Sequence, residues 1–161
     1  MKGVIISSNK DDFSAGMDLK VLAHLQDQSK NKEEIFQFVM RAHQFLRKIE
    51  LGGIDPKTKK GGIPFVWACS GLSAGIATEI GLACHYRIAT DKKNTKIGLP
   101  EILVGLFPGA GGATRVSRML GLMSSAPILM EGRMFSAQKA KAMGLIAVSY
   151  THLTLPTTPY V

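Results

Sequence analysis

The chain has 161 residues, 45% of them hydrophobic and 20% charged, a balance that suits a folded core and excludes a disordered chain. Lys and Arg exceed Asp and Glu to give a formal charge of +8, but the lysines gather only in short loops (Lys57, Lys59, Lys60 and Lys92, Lys93, Lys96), and 7% aromatics offers no stacking surface for RNA, so no nucleic-acid partner is expected. Cys69 and Cys84 stand in apolar surroundings without histidines at ligand spacing, which argues against a disulfide framework and a metal site and fits a reduced, cytoplasmic setting.

The opening residues, Met1-Lys2-Gly3-Val4-Ile5-Ile6, read as a strand, so no leader peptide is expected. Residues 4–7 make that short strand, 9–12 a polar turn, and Phe13 onward a loop leading into a helix. Over 32–50, Ile35, Val39, Ala42, Leu46 and Ile49 recur at three- and four-residue steps, which predicts an amphipathic helix stopped by Gly52 and Gly53. A polar loop over 55–62 follows. The apolar run 64–84 has the length of a membrane span, yet its Gly, Ser and Thr content and its central Glu79 favour a core strand over 63–70 and a close-packed helix over 74–84. Strands are expected at 87–90 and 97–99, a helix at 114–120, and a last helix at 137–143 with Ser136 as N-cap and Gly144 as terminator. This alternation predicts an α/β architecture with a substantial parallel component and no internal repeat.

Two acids stand alone in apolar sequence. Glu79 is the only charged residue between Pro64 and Cys84, and Glu101 the only one between Ile97 and Thr114. An ionised carboxylate is costly to bury unless it is paired, so each must find a partner, take up a proton or face a polar cavity. Apolar walls can raise a carboxyl pKa toward neutrality, the condition for acid and base work. The plainer reading makes each a surface acid or a buried ion-pair partner. Glycine-rich turns lie nearby at Ala15-Gly16, 71–75 and 109–112, and backbone N–H groups converging there could stabilise an oxyanion at about 3 kcal/mol per donor. Two acids with amide donors suggest acyl chemistry, although most glycines only make turns.

At these positions a family likeness emerges. Phe13-Ser14-Ala15-Gly16-Met17-Asp18-Leu19 resembles the F-x-A-G-x-D-[LI] segment of the crotonase superfamily. The run from Ser70 to Ile80 resembles its G-x-x-x-G-G-G-x-E segment, and Ile97 to Gly112 its G-x-P-E-x-x-x-G-x-x-P-G-x-G-G segment. Ala83 to Thr90, with Glu131-Gly132-Arg133 and Gly144-Leu145-Ile146, is most similar to the hydratase half of bifunctional fatty-acid oxidation proteins.

The resemblance implies a spiral of repeated ββα units, incomplete at both ends, with a partial hydratase domain over 1–147. It implies reversible hydration of a trans-2-enoyl-CoA, with Glu101 exchanging a proton at the α-carbon and Glu79 activating the water. It further implies an oxyanion hole from the N–H groups of Ala15 and Ile76, and substrate contacts at Gly16, Asp18, Gly75, Pro108 and Gly109. No cofactor is implied for hydration, and NAD only if a dehydrogenase domain follows. The implied partners are an acyl-CoA substrate and, in a full-length protein, an oligomer or a thiolase-containing complex. Where the family has three glycines, this chain has Gly75-Ile76-Ala77; a positive φ at Ile76 or Ala77 would strain the donor loop.

Other readings compete. Gly71-Leu72-Ser73-Ala74-Gly75 matches the G-x-S-x-G elbow of a serine hydrolase, but only His85 and His152 follow the serine. Gly109 to Thr114 loosely resembles a dinucleotide loop and lacks its third glycine. His24 and His43 are expected on helix faces. An inactive fragment of a hydratase is the third class, since family members extend beyond both ends. Residues 148–161 depart from the family pattern, and the decamer from Val148 resembles a translated sequencing-adapter end, so a non-native tail is expected there.

Overall fold

The computed structural model describes residues 2–21, 23, 32–55 and 57–151. The readings placed on His24, on His152 and on residues 152–161 lie outside them. Four strands form one parallel sheet in the order β1-β2-β4-β7, comprising β1 (Val4–Ser7), β2 (Phe65–Cys69), β4 (Tyr86–Thr90) and β7 (Val148–Tyr150). A second sheet sets β3 (Leu72–Ala74) parallel to β5 (Lys96–Gly98), and β5 antiparallel to β6 (Met134–Phe135).

β2 and β4 are each followed by a short strand of the other sheet and then a helix. β2 and β3 lead into α2 (Ile76–Ala83); β4 and β5 lead through a 3₁₀ turn (Pro100–Val104) into α3 (Gly112–Leu120). These are two ββα turns of a spiral, the predicted architecture. Gly71 makes the corner between β2 and β3 at φ +65, where a Cβ would come within 2.3 Å of Asp12 Oδ1.

The helix expected over 32–50 is α1 (Lys32–Leu51), with Glu33 and Glu34 in its first turn and Lys48 in its last, complementing the helix dipole. Its expected apolar stripe is buried only at Leu46 and Ile49, while Val39 is exposed. The helix expected over 74–84 is shorter than predicted, because residues 72–74 pair with β5 and Gly75 breaks the chain direction before Ile76. Between α3 and β6 lies α4 (Leu122–Leu129), which the sequence reading did not anticipate; Pro127 sits inside it. α5 (Ala137–Ala142) is capped as expected, Ser136 Oγ accepting from Lys139 N at 3.4 Å. β7 begins one residue past the boundary drawn at 147 and pairs with Ile88, Ala89 and Thr90.

Trp67 anchors the core at 1% exposure, its ring edge-on to Phe13 at 5.3 Å and flush against Gly81 of α2. His85 ties β4 back to β2, its Nδ1 accepting from Phe65 N at 3.1 Å. No helix among the described residues is long and apolar enough to cross a membrane.

Candidate active site

Glu79 is on the first turn of α2, where its backbone N–H bonds to Gly75 O at 3.0 Å. The side chain points into the protein at 2% exposure, and its Oε1 accepts from Ala110 N at 2.9 Å and Gly112 N at 2.8 Å. Gly112 must be glycine there, because a Cβ would lie 2.8 Å from both Cγ and Oε1 of Glu79. Burial pushes the Glu79 pKa up, against the pull of the two amides and of the charges on Arg115 and His43.

Glu101 arrives from the 3₁₀ turn, which Gly105 closes in a left-handed conformation (φ +74). Its Oε2 is buried without a hydrogen-bond partner, and its Oε1 lies 3.1 Å from where a Gly75 Cβ would sit. The Glu101 pKa is pushed up to about 7, first by burial; its own backbone N–H opposes this and the nearby Glu79 charge adds to it. Glu79 is therefore a carboxylate with dedicated donors, whereas Glu101 is a carboxyl poised to hold or release a proton near neutrality.

The third component is main chain. Ser14 bridges to Ser73 of β3, with Ser14 N donating to Leu72 O and Ala74 N to Ser14 O, both at 3.0 Å. Asp12 Oδ1 fastens the same loop by accepting from Leu72 N at 2.7 Å. Gly16, at φ +104, is so near β3 that a Cβ would meet Ala74 O at 3.0 Å. The Ala15-Gly16 loop is thus laid against the turn that starts α2. Among the described residues, the N–H groups of Ala15 and Ile76 find no acceptor. The left-handed conformation falls on Gly75 (φ +57), and Lys59 is the one described non-glycine with positive φ, so neither Ile76 nor Ala77 is strained.

The predicted residues Ala15, Gly16, Gly75, Ile76, Glu79 and Glu101 converge. Pro108 is buried and Gly109 exposed, on the loop that leads to the Glu79 donors. Asp18 is exposed and accepts from Lys20 N at 2.8 Å, holding the start of a helical turn. The 109–112 amides, read from sequence as possible oxyanion donors, are spent in part on Glu79, which also removes the dinucleotide-loop reading.

Ser73 contradicts the hydrolase alternative. It is fully buried inside β3, with its Oγ 3.1 Å from Thr78 Oγ1, and occupies no exposed elbow. No group of three metal-ligating side chains occurs among the described residues. Cys69 and Cys84 are free and buried, their thiols pushed up by burial to about 12 and about 11. The sequence reading missed Arg115 and Glu50, and gave His43 no part in the site. A lone Arg three residues after Gly112 carries no mark distinguishing it from a surface charge.

The ββα spiral brings two carboxylates together beside a turn with unpaired amides, an arrangement that can serve acid/base chemistry. The pattern of the enoyl-CoA hydratase/isomerase family matches residues 1–154, and the chain belongs to that family. The fatty acid oxidation complex subunit alpha of Aliivibrio fischeri is 34% identical over 158 residues, 96% of this chain and 21% of that protein. That of Shewanella loihica is 35% identical over 143 residues, 89% of this chain and 18% of that protein. Among solved structures, the enoyl-CoA hydratase of Thermoplasma volcanium superposes with TM-score 0.79 at 26% identity, over 94% of this chain and 54% of that one. The hydratase of Bacillus anthracis gives TM-score 0.75 at 30% identity over 94% and 53%. The chain thus spans about half of those structures and about a fifth of the curated relatives.

Proposed function

We propose that this chain carries the centre for reversible hydration of a trans-2-enoyl-CoA to a 3-hydroxyacyl-CoA, a step of fatty-acid β-oxidation. The observation that carries the reading is the contrast between the two acids: Glu79 Oε1 is held by two amides, whereas Glu101 has its Oε2 buried without a partner and its pKa raised to about 7. Glu79, ionised, takes a proton from water as the water oxygen bonds to the β-carbon. The displaced π electrons move toward the thioester carbonyl, whose oxygen accepts from Ala15 N–H and Ile76 N–H. Glu101 then protonates the α-carbon, and dehydration reverses each transfer. Gly16 and Gly75 let the thioester approach the backbone, with Asp18, Pro108 and Gly109 bordering the substrate's path.

This chemistry uses acid, base and amides alone and needs no cofactor. NAD would serve a dehydrogenase domain in a longer polypeptide, where an oligomer or a thiolase-containing complex would also form, in the cytoplasm. Glu79→Gln and Glu101→Gln, each in the intact polypeptide, should lower the hydration kcat by roughly 10²- to 10⁴-fold while thioester binding persists. A full rate in either variant, followed by loss of enoyl absorbance, rejects the assignment.

A further inference from the structure

Arg115 of α3 is largely buried, its side chain 13% exposed and its Nε without a partner. Burying a guanidinium with an unsatisfied N–H is costly, so the bonds it does make should be informative. Its main-chain N–H donates to Gly111 O at 3.0 Å and its Nη1 donates to Ala110 O at 3.0 Å. The Gly111 carbonyl and the Gly112 N–H are two ends of one peptide unit, so the first bond sets the plane of a donor to Glu79. The Ala110 carbonyl belongs to the unit between the two donors. The guanidinium therefore holds the loop at Ala110, while the main-chain bond to Gly111 is the ordinary first bond of α3.

The grip reaches back to α1. Arg115 Nη2 meets Glu50 Oε2 at 3.3 Å, and Glu50 also accepts from Arg47 Nη1 at 2.7 Å. Burial alone would raise the Glu50 pKa, but the hydrogen bonds and charges of Arg47 and Arg115 outweigh it and hold the group below its usual range. A Cβ on Gly111 would come within 2.6 Å of Arg115 Nη1, so the loop is shaped to the guanidinium as well as to the left-handed φ of +96.

We propose that Arg115, braced by Glu50, is a positioning residue that fixes the two amide donors on Glu79 and thereby the orientation and charge of that carboxylate. The inference rests on reading Glu79 as the water-activating base. The groups whose charge bears on Glu79 are Arg115 from α3, His43 from α1 and Glu101 from the 3₁₀ turn.

The test uses Arg115→Met, Arg115→Lys and Glu50→Gln in the intact polypeptide. Two quantities are read: steady-state hydration of a short trans-2-enoyl-CoA, and the ¹³C-carboxyl NMR titration of Glu79, assigned by its loss in Glu79→Gln. Arg115→Met should lower kcat roughly 10- to 100-fold, since small misplacements of a catalytic group cost that much. KM should stay within about threefold, because the proposed role of Arg115 runs through the Ala110 carbonyl and Glu50 and not through the thioester. The Glu79 titration should move to higher pH, with Arg115→Lys recovering part of both effects and Glu50→Gln showing a smaller change of the same sign.

A folded Arg115→Met with wild-type kcat overturns the proposal, and so does a loss of rate with the Glu79 titration unmoved. If Arg115→Met does not fold by circular dichroism, the other two variants are judged by the same criteria. If the wild type fails to hydrate while the titration still moves, the hydratase reading falls and the positioning of Glu79 stands.

Discussion

Glu101 carries a pH signature that can be read without substrate. Its pKa is raised from 4.5 to about 7, so between those values the folded protein holds a proton that the unfolded chain has released. Folding stability from this group is thus full below about pH 4.5 and falls as pH rises to about 7, beyond which it is flat. Glu101→Gln cannot charge and escapes that loss. Thermal melts should show the variant above wild type by a few degrees at pH 8, with the gap closing toward pH 5. A constant gap across that range would mean that Glu101 titrates normally. The two acids were legible in the sequence because each stood alone in an apolar run. Their partners were not, since the donors to Glu79 are main-chain N–H groups, which every residue but proline possesses.

At the scale of elements, the placing of Glu79 depends on how closely α2 can lie on β2. Gly81 is the contact: a Cβ there would stand 2.7 Å from Trp67 Cδ2, and Trp67 is itself packed against Phe13. Gly81→Ala should gain about 1 kcal/mol in helix propensity. Overpacking against a rigid indole costs about 1–3 kcal/mol, so the net effect is destabilising. The variant should melt several degrees lower and lose hydration rate as the Glu79 end of α2 tilts; an unchanged melt would show that the indole shifts freely. α1 was readable from its period. β3 was not, because Leu72 and Ser73 lie in a glycine-rich stretch that reads as a turn and Ala74 heads a small-residue run that reads as helix, until the pairing with β5 is known. α4 was concealed by Pro127, which reads as a helix breaker yet sits inside this helix, where it has no N–H to give to the Met123 carbonyl.

For the whole molecule, the informative surface borders the Glu101 turn. Leu103, Phe107, Leu122, Met123 and Met130 are all exposed, Phe107 at 76% and Met123 at 84%, on the 3₁₀ turn, the loop after it and α4. So much uncovered apolar surface is unusual for a lone soluble chain, and this favours the inactive-fragment reading, that these 161 residues alone do not turn over. Expressed alone, the chain should bind an apolar dye, self-associate in sedimentation and hydrate enoyl-CoA at under roughly 1% of the rate of a longer polypeptide. A monomeric, dye-silent and fully active chain would show that the patch needs no cover.

The bonds from Ala110 and Gly112 to Glu79 close loops of 31 and 33 residues. The stretch between them holds β4, β5 and the Glu101 turn. Contacts so distant along the chain are won late in folding, after the entropy of loop closure has been met. Until then Glu79 is an ordinary solvated acid, so on the hydratase reading a nascent or partly unfolded copy has no positioned base. The proposed chemistry would be available only once the topology is complete.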